Sequence, residues 1–133
     1  MYPENLRYSK EHEWVRVEAG GMVVVGITFF AQDQLGDVVF LNLPSSGTEV
    51  EQFARMGEIE SVKAVSDLLS PVSGRIVEVN QEAVKDPETV NKDPYDKGWL
   101  IKVALKDLSE LDKLMNVTEY QQWIAAQEKS GRR

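Results

Sequence analysis

Lys63 is the residue whose setting most clearly suggests chemistry. The segment Gly57 to Val62 before it has a strand-like pattern, and the residues after it lead toward the turn sequence Ser70 to Gly74. This spacing predicts a lysine at the tip of an exposed hairpin. A solvated lysine ammonium keeps its proton at neutral pH and does not catalyse by itself. Its amine can instead be acylated by another enzyme, which would make it the base of a longer arm.

Other catalytic chemistries lack candidate residues. The chain has no cysteine, which excludes disulfides and thiolate metal sites, and its one histidine, His12, cannot form a multi-histidine metal site. We expect His12 to be a partly exposed polar residue at the start of the first strand. We identify no pairing of a nucleophile with a base and no glycine-rich phosphate loop. The sequence therefore predicts a non-catalytic protein without a metal site.

The charge balance limits the classes of partner. The chain has 15 Lys and Arg against 22 Asp and Glu, a formal net charge of −7. This charge opposes binding to a phosphate backbone and favours basic patches on other proteins. The longest apolar run, Met22 to Val25, is too short to cross a bilayer, and Met1 to Asn5 has no targeting pattern. We expect a cytoplasmic protein of bacterial source, with neither nucleic acid nor membrane as partner.

Short strand-like runs separated by turn residues must position Lys63. Thr28 is a suitable N-cap for a short helix, and Gly36 is a suitable residue to end it. The pattern predicts a hairpin with a Gly-Gly turn, then the helix, then a strand: Trp14–Val17, Gly20-Gly21, Met22–Ile27, Phe29–Leu35 and Val38–Leu43.

Two pairs of segments resemble each other within the chain. Gly36 to Asn42 is similar to Gly74 to Asn80 at an offset of 38 positions, and Gly57 to Val62 is similar to Gly98 to Val103 at an offset of 41. The difference predicts a three-residue insertion in the loop from Glu82 to Asp96. Two copies of a strand-loop-strand unit indicate two small sheets related by a pseudo-twofold axis.

The C-terminal part changes to a helical period. Asp107 with Glu110, and Asn116 with Glu119, have the spacing of capping boxes ahead of apolar residues. They predict two short helices that pack on the β core. We expect a single domain over residues 1–133, with a core at about 8–105 and a C-terminal helical segment at about 107–128.

The segment around Lys63 resembles the lipoylation site of the glycine cleavage system H protein family. Other segments resemble the same family in the same order, so the resemblance covers nearly the whole chain. The similar segments are Glu11–Val15, Val25–Thr28, Ala31–Phe40, Glu60–Ala64, Ser66–Leu68, Ser70–Gly74, Glu78–Asn80, Val90–Tyr95 and Gly98–Ile101. The resemblance implies a mainly β barrel-sandwich hybrid, with a short helix after the N-terminal hairpin and two C-terminal helices.

The resemblance also implies a function as a lipoyl carrier. Lipoate would be joined as an amide to Lys63, and the arm would take an aminomethyl group from the decarboxylating glycine dehydrogenase to the aminomethyltransferase. Dihydrolipoyl dehydrogenase would then reoxidise the arm. A lipoate-attaching enzyme completes the expected set of partners.

The attachment turn and a nearby cleft supply the remaining predicted site residues. We expect the attaching enzyme to recognise the turn formed by Glu60, Ser61, Val62 and Ala64. Biotin carriers flank the modified lysine with methionines, so Val62 and Ala64 make biotin the lesser alternative. We expect two carboxylates, Glu13 and Asp67, to form an acidic, partly dry cleft that shelters the cationic aminomethyl group. Both carboxylates could equally be ordinary charges at strand edges.

The chain departs from the family at two aromatic positions, and other functions stay open. Phe53-Ala54 replaces a Gly-Asp turn, and Phe29 stands where a polar or acidic residue is usual. We expect Phe29-Phe30 to add an exposed apolar patch, and both departures bear on the choice of partner. A lipoyl relay to other complexes, a Schiff-base lysine enzyme and an unmodified adaptor are the alternatives. A solvated Lys63 argues against the Schiff-base enzyme, because that chemistry needs a desolvated lysine.

Overall fold

The computed structural model describes residues 1–131, which form a mainly β fold with peripheral helices. The strands are β1 Arg7–Tyr8, β2 Glu13–Val17, β3 Met22–Ile27, β4 Val38–Asn42, β5 Glu49–Val50, β6 Arg55–Ser61, β7 Val65–Leu69, β8 Gly74–Val79 and β9 Ile101–Leu105. The α-helices are α1 Phe29–Leu35, α2 Gln81–Lys85, α3 Glu88–Lys92 and α4 Val117–Gly131, and there are 3₁₀ helices at Ala19–Gly21 and Leu108–Lys113.

The strands form two antiparallel sheets. One has six strands in the order β1-β2-β3-β9-β8-β5, and the other has three in the order β4-β6-β7. The main core includes side chains from both sheets: Val15, Val23, Val25, Ile27, Val38, Leu41, Ile59, Leu68, Ile76, Ile101 and Val103. Burying each such side chain contributes roughly 1.5–3 kcal/mol. The predicted arrangement of two β-sheets with helices outside them is confirmed.

Strand β3 explains why one run of the sequence is apolar without interruption. Its residues alternate between two hydrophobic clusters, as side chains of a strand must. Val23 and Val25 belong to the main core, whereas Val24 belongs to a second cluster with Trp14 and Tyr120 of helix α4. The strand is therefore covered on both faces, which is why its apolar run lacks the usual polar positions.

The internal similarity corresponds to two strand pairs with the same register. Strand β4 pairs with β6 and β8 pairs with β9, each antiparallel and each with one irregularity, between Val38 and Phe40 in the first pair of strands and between Ile76 and Glu78 in the second. Val38↔Ser61 and Phe40↔Glu60 correspond to Ile76↔Val103 and Glu78↔Lys102. These registers give offsets of 38 and 42, so the longer connection carries four extra residues rather than the predicted three.

The longer connection is not the predicted loop. It contains helices α2 and α3, which the sequence pattern did not reveal because each has only five residues. Helix α2 begins after Asn80, whose side-chain oxygen accepts a hydrogen bond from Ala83 N at 3.4 Å.

Local signals around the first helix are confirmed. Gly20 and Gly21, between β2 and β3, both have φ of 74°, a conformation that glycine adopts without steric cost. Thr28 Oγ1 accepts a hydrogen bond from Ala31 N at 3.2 Å, and helix α1 spans the predicted residues. Gly36 ends the helix, and its N–H donates to Gln32 O.

One of the two predicted capping boxes forms. Asn116 Oδ1 accepts from Glu119 N at 2.8 Å, and Glu119 Oε1 accepts from Asn116 N at 3.0 Å. The other does not form, because Glu110 instead accepts hydrogen bonds at 2.7 Å from Ser73 N and Ser73 Oγ. The segment after Asp107 is accordingly a 3₁₀ helix, while α4 is longer than predicted, with 15 residues.

Helix α4 packs on the six-stranded sheet through aromatic side chains. Tyr120 is fully buried and stacks on Tyr8, with ring centroids 4.5 Å apart. Trp123 donates its indole N–H to Lys10 O at 3.0 Å. Within residues 1–131, none of the helices has the length and apolarity needed to span a bilayer.

Candidate functional site

Lys63 lies at the exposed tip of the hairpin between β6 and β7. Ser61 closes this turn, because its Oγ accepts hydrogen bonds from the backbone N–H groups of Lys63 and Ala64, both at 3.2 Å. Ser61 N also donates to Ala64 O at 2.8 Å. The backbone at Lys63 is thus held from both sides while its side chain faces solvent.

The loop after α1 supports the hairpin tip. Val62 N donates to Asp37 O at 3.0 Å, which joins the tip to this loop. The stem of Lys63 lies over Gly36, where a Cβ atom would come within 3.2 Å of Lys63 Cε. Gly36 has φ of 77° and ψ of −157°, a backbone conformation essentially restricted to glycine.

Asn91 of helix α3 holds this loop in place. Its Nδ2 donates to Gly36 O at 2.8 Å and to Gln32 Oε1 at 3.1 Å. Its Oδ1 accepts from Val38 N at 2.9 Å. Sequence reasoning did not assign a role to Asn91, because these contacts join residues more than 50 positions apart along the chain.

The outer face of the three-stranded sheet combines apolar and acidic side chains. Phe40, Glu60 and Val65 lie in register across the three strands, and all three are exposed. Val62, at the tip, is 67% exposed. Of the predicted recognition residues, Glu60, Val62 and Ala64 are accessible, whereas Ser61 is buried and shapes the turn.

Glu13 is a buried carboxyl group at the start of β2. It is 2% exposed, and its Oε1 accepts a hydrogen bond from Ser9 Oγ at 2.6 Å. Burial raises its pKa from the ordinary 4.5 to about 8, although hydrogen bonds from Ser9 and from the backbone of Leu69 oppose the shift. Glu13 is therefore largely protonated at neutral pH.

Asp67 lies in a different environment from Glu13. Its side chain is 61% exposed and pairs with Arg55, with 2.9 Å between Asp67 Oδ1 and Arg55 Nε. Arg55 also pairs with Glu58 at 3.3 Å. Both predicted cleft residues are close to strand β7, since Asp67 belongs to it and Glu13 bonds the backbone of Leu69. Only Glu13 is in a dry setting.

His12 is partly exposed beside the start of β2, as predicted, and it also makes a contact that the sequence did not predict. It precedes β2 with φ of 73°, and its Nδ1 lies 2.8 Å from the Tyr120 hydroxyl. Burial lowers the pKa of His12, and a hydrogen bond with Gln127 opposes that shift. His12 thus connects the Glu13 segment to helix α4, and no local sequence signal indicates this long-range contact.

The two aromatic departures have different outcomes. Phe29 and Phe30 do not form an exposed patch, since both are half-buried, with Phe29 against Tyr2 and Phe30 against His12. Phe53 is 43% exposed and has φ of 66°, where glycine would be unstrained. It lines a cavity of about 360 Å³ together with Tyr8, Ser9, Lys10, Glu11, Lys113 and Met115.

The site fits covalent attachment of a cofactor to Lys63. The lysine is exposed, and no carboxylate of residues 1–131 forms an ion pair with it. In the same part of the chain, no group of His, Asp or Glu residues could hold a metal ion. An accessible lysine on a tight hairpin of a two-sheet β fold is the arrangement that a carrier domain needs.

Comparisons with known proteins identify the kind of carrier. The sequence profile of the glycine cleavage H-protein matches residues 6–127. The glycine cleavage system H protein of Geobacillus thermodenitrificans is 55% identical over 118 residues, which cover 89% of this chain and 92% of the relative. That of Symbiobacterium thermophilum is 54% identical over 118 residues, covering 89% and 91%.

A solved structure shares the fold. The glycine cleavage system H protein from Mycobacterium marinum superposes with a TM-score of 0.85 at 43% identity, covering 92% of this chain and 98% of that one. The chain belongs to the glycine cleavage H-protein family. It is a carrier subunit rather than a catalyst, and its fold is the barrel-sandwich hybrid of that family.

Proposed function

We propose that this chain carries lipoate on Lys63 and serves as the carrier of glycine cleavage. The observation that carries the proposal is the position of Lys63, exposed at the hairpin tip while Ser61 holds the backbone on both sides of it. A rigid mount with a solvated amine suits both acylation by an attaching enzyme and later presentation to other enzymes. The family membership agrees with this role.

The lipoyl group would supply a disulfide that opens as it takes up an aminomethyl group, and the dithiol left after transfer of that group would be oxidised back to the disulfide. The partners would be the decarboxylating glycine dehydrogenase, the aminomethyltransferase and dihydrolipoyl dehydrogenase, besides the enzyme that attaches lipoate. The exposed row of Phe40, Glu60 and Val65 offers these enzymes an apolar and acidic surface next to Lys63. The net charge of −7 favours approach to basic surfaces.

Glu13 and Asp67 would shelter the loaded arm in different ways. Asp67 is exposed and pairs with Arg55, so it can attract a cation but cannot exclude water from it. Glu13 is buried and has a pKa of about 8, so it would have to release a proton as it pairs with a cationic amine. An ion pair formed there gains from the low local dielectric. Glu13 would therefore contribute more to the shelter than Asp67.

The proposal includes the organisation and location of the protein. A single lipoyl-carrier domain would span residues 1–133, with its core at about 8–105 and its C-terminal helical segment at about 107–128. The protein would act in the cytoplasm of a bacterium, as its relatives are bacterial.

Peptide mapping after lipoylation tests the attachment site. The purified chain is incubated with a lipoate ligase, lipoate and ATP, and its peptides are analysed by mass spectrometry. We expect one lipoyl group, on Lys63. Lys63→Arg should fold normally and take none, because a guanidinium is not acylated under these conditions. Lys97→Arg, which changes another exposed lysine, should be lipoylated as the wild type is. Lipoate on a different lysine, or biotin on Lys63 of protein from its native host, would refute the proposal.

A further inference from the structure

We propose that Asn91 is a positioning residue for the acylation of Lys63, which it influences through the loop Gly36 to Val38. This inference rests on the proposed function, because it concerns the same lysine. The loop contacts the hairpin in two ways, through the bond from Val62 N to Asp37 O and through the Lys63 stem over Gly36. Asn91 makes a bond to each end of that loop.

The contact between the lysine and the loop is close. A Cβ atom on Gly36 would lie 3.2 Å from Lys63 Cε and 3.7 Å from Lys63 Cδ and Nζ. The aliphatic stem of Lys63 therefore lies along the backbone of Gly36, in space that the Cβ atom of any other residue would occupy. This contact restricts the rotamers of a side chain that is otherwise free in solvent.

Asn91 keeps the loop in the conformation that the contact needs. Gly36 O and Val38 N, the groups it bonds, flank Asp37, whose carbonyl accepts from the hairpin tip. Its third bond, to Gln32 Oε1, joins the loop to a side chain that is 8% exposed in helix α1. Helix α3, helix α1 and the loop that supports the lysine hairpin thus meet at this one amide.

The consequence concerns how Lys63 enters the active site of an attaching enzyme. In that reaction the Nζ ammonium loses one proton to solvent, attacks the acyl carbon of an acyl adenylate and loses a second proton to solvent as the amide forms. A C–N amide bond forms, the C–O bond of the anhydride breaks, and AMP leaves. A stem that is already oriented loses less freedom on entering the enzyme. Loosening the loop should raise the KM for the carrier chain more than it lowers kcat.

Asn80 provides a matched control for this experiment. It also makes three hydrogen bonds through its side chain, donating to Lys97 O at 2.8 Å and Trp99 O at 2.7 Å and accepting from Ala83 N at 3.4 Å. None of these three hydrogen bonds ends on the Lys63 hairpin or the Gly36 loop. Truncating either asparagine removes the same set of atoms and the same number of bonds.

The test measures lipoylation of Asn91→Ala and Asn80→Ala by a lipoate ligase, well below the melting temperature of each. We expect kcat/KM to fall about tenfold for Asn91→Ala, a factor comparable to the rotamer freedom that a lysine regains. Asn80→Ala should stay within about twofold of the wild type. If Asn91→Ala is unfolded at the assay temperature, the pair Asn91→Asp and Asn80→Asp is used instead. Asn91→Asp keeps an oxygen that can accept the hydrogen bond from Val38 N but loses the amide group that donates to Gly36 O.

Amide hydrogen exchange supplies a second reading that does not depend on the ligase. In Asn91→Ala the Val62 amide, which bonds Asp37 O, should exchange faster, while the Ser61 amide, which bonds Ala64 O within the hairpin, should not change. Equal lipoylation rates of the two alanine variants, or an unchanged exchange rate of the Val62 amide, would overturn the role of Asn91 and leave the proposed function standing. A wild-type chain that takes no lipoate on Lys63 would overturn the proposed function and this inference together.

Discussion

At the scale of single residues, Glu13 shows how burial changes a side chain's chemistry. Its carboxyl group is 2% exposed, and its direct partners are a serine hydroxyl and backbone groups rather than a cation. An ionised carboxylate there would lack the compensation that burial requires. The group instead keeps its proton up to a pKa of about 8.

This raised pKa has a testable effect on stability. Unfolded Glu13 ionises at its ordinary pKa of 4.5, but folded Glu13 keeps its proton up to about 8. Between these values the folded state binds more protons, so this group makes the free energy of unfolding fall as pH rises. Glu13→Gln cannot ionise, so its stability relative to the wild type should increase across this window, by on the order of 4 kcal/mol.

Chemical denaturation of both proteins at several pH values checks this prediction, because the difference between them cancels the titration of the other acidic groups. Gln121→Ala, at an exposed and non-ionisable position of helix α4, is the control, and its stability difference from the wild type should stay constant over the same range. A stability difference between Glu13→Gln and the wild type that stays constant with pH would mean that Glu13 is ionised in the folded protein.

At the scale of elements, one hydroxyl group of helix α4 contacts two separate parts of the β core. Tyr120 Oη lies 2.7 Å from Thr28 Oγ1, in the N-cap of α1, and 2.8 Å from His12 Nδ1. It therefore connects α4, α1 and the segment that carries Glu13. Burial strongly raises the pKa of Tyr120, so the hydroxyl keeps its proton at any ordinary pH.

Removing this hydroxyl should destabilise the fold. Tyr120→Phe removes one hydrogen-bond partner from the buried Thr28 hydroxyl and one from the partly buried His12 ring, so the free energy of unfolding should fall by about 1–3 kcal/mol. Urea denaturation measures the change. Thr118→Ala, at an exposed position of the same helix, should change it by less than about 0.5 kcal/mol. A Tyr120→Phe variant as stable as the wild type would show that this network contributes nothing to the docking of α4.

Elements with local signals could be predicted from the sequence, whereas those set by distant contacts could not. Thr28 and Gly36 delimit helix α1, and Asn116 with Glu119 caps helix α4, because each signal acts within a few residues. Glu110 had the same capping pattern, but Ser73, 37 positions away, takes its carboxylate.

The same distinction applies to the candidate site. The sequence predicted a hairpin at Lys63, where strand patterns on both sides of the lysine give a local signal. The contacts of Asn91 with Gly36, Gln32 and Val38 could not be predicted from the sequence, because they depend on how α3 folds back against the loop after α1.

At the scale of the whole molecule, the repeated strand pairs separate two tasks. The pair β4 and β6 belongs to the sheet that carries Lys63, while its counterpart, β8 and β9, lies at the centre of the larger sheet. The larger sheet also includes β1 and β2 and packs against helix α4, so it supplies much of the buried surface. The smaller sheet keeps its outer face exposed beside the lysine, as presentation of an arm to several enzymes requires.

The most direct test of the central claim is glycine-dependent reduction of NAD⁺ in a reconstituted system. It contains the decarboxylating glycine dehydrogenase, the aminomethyltransferase, dihydrolipoyl dehydrogenase, tetrahydrofolate and this chain after lipoylation. We predict a rate that rises with the concentration of the lipoylated wild type and saturates, with no rate above background for Lys63→Arg treated in the same way. A lipoylated wild type that supports no reduction, or a Lys63→Arg chain that supports it, would contradict the account.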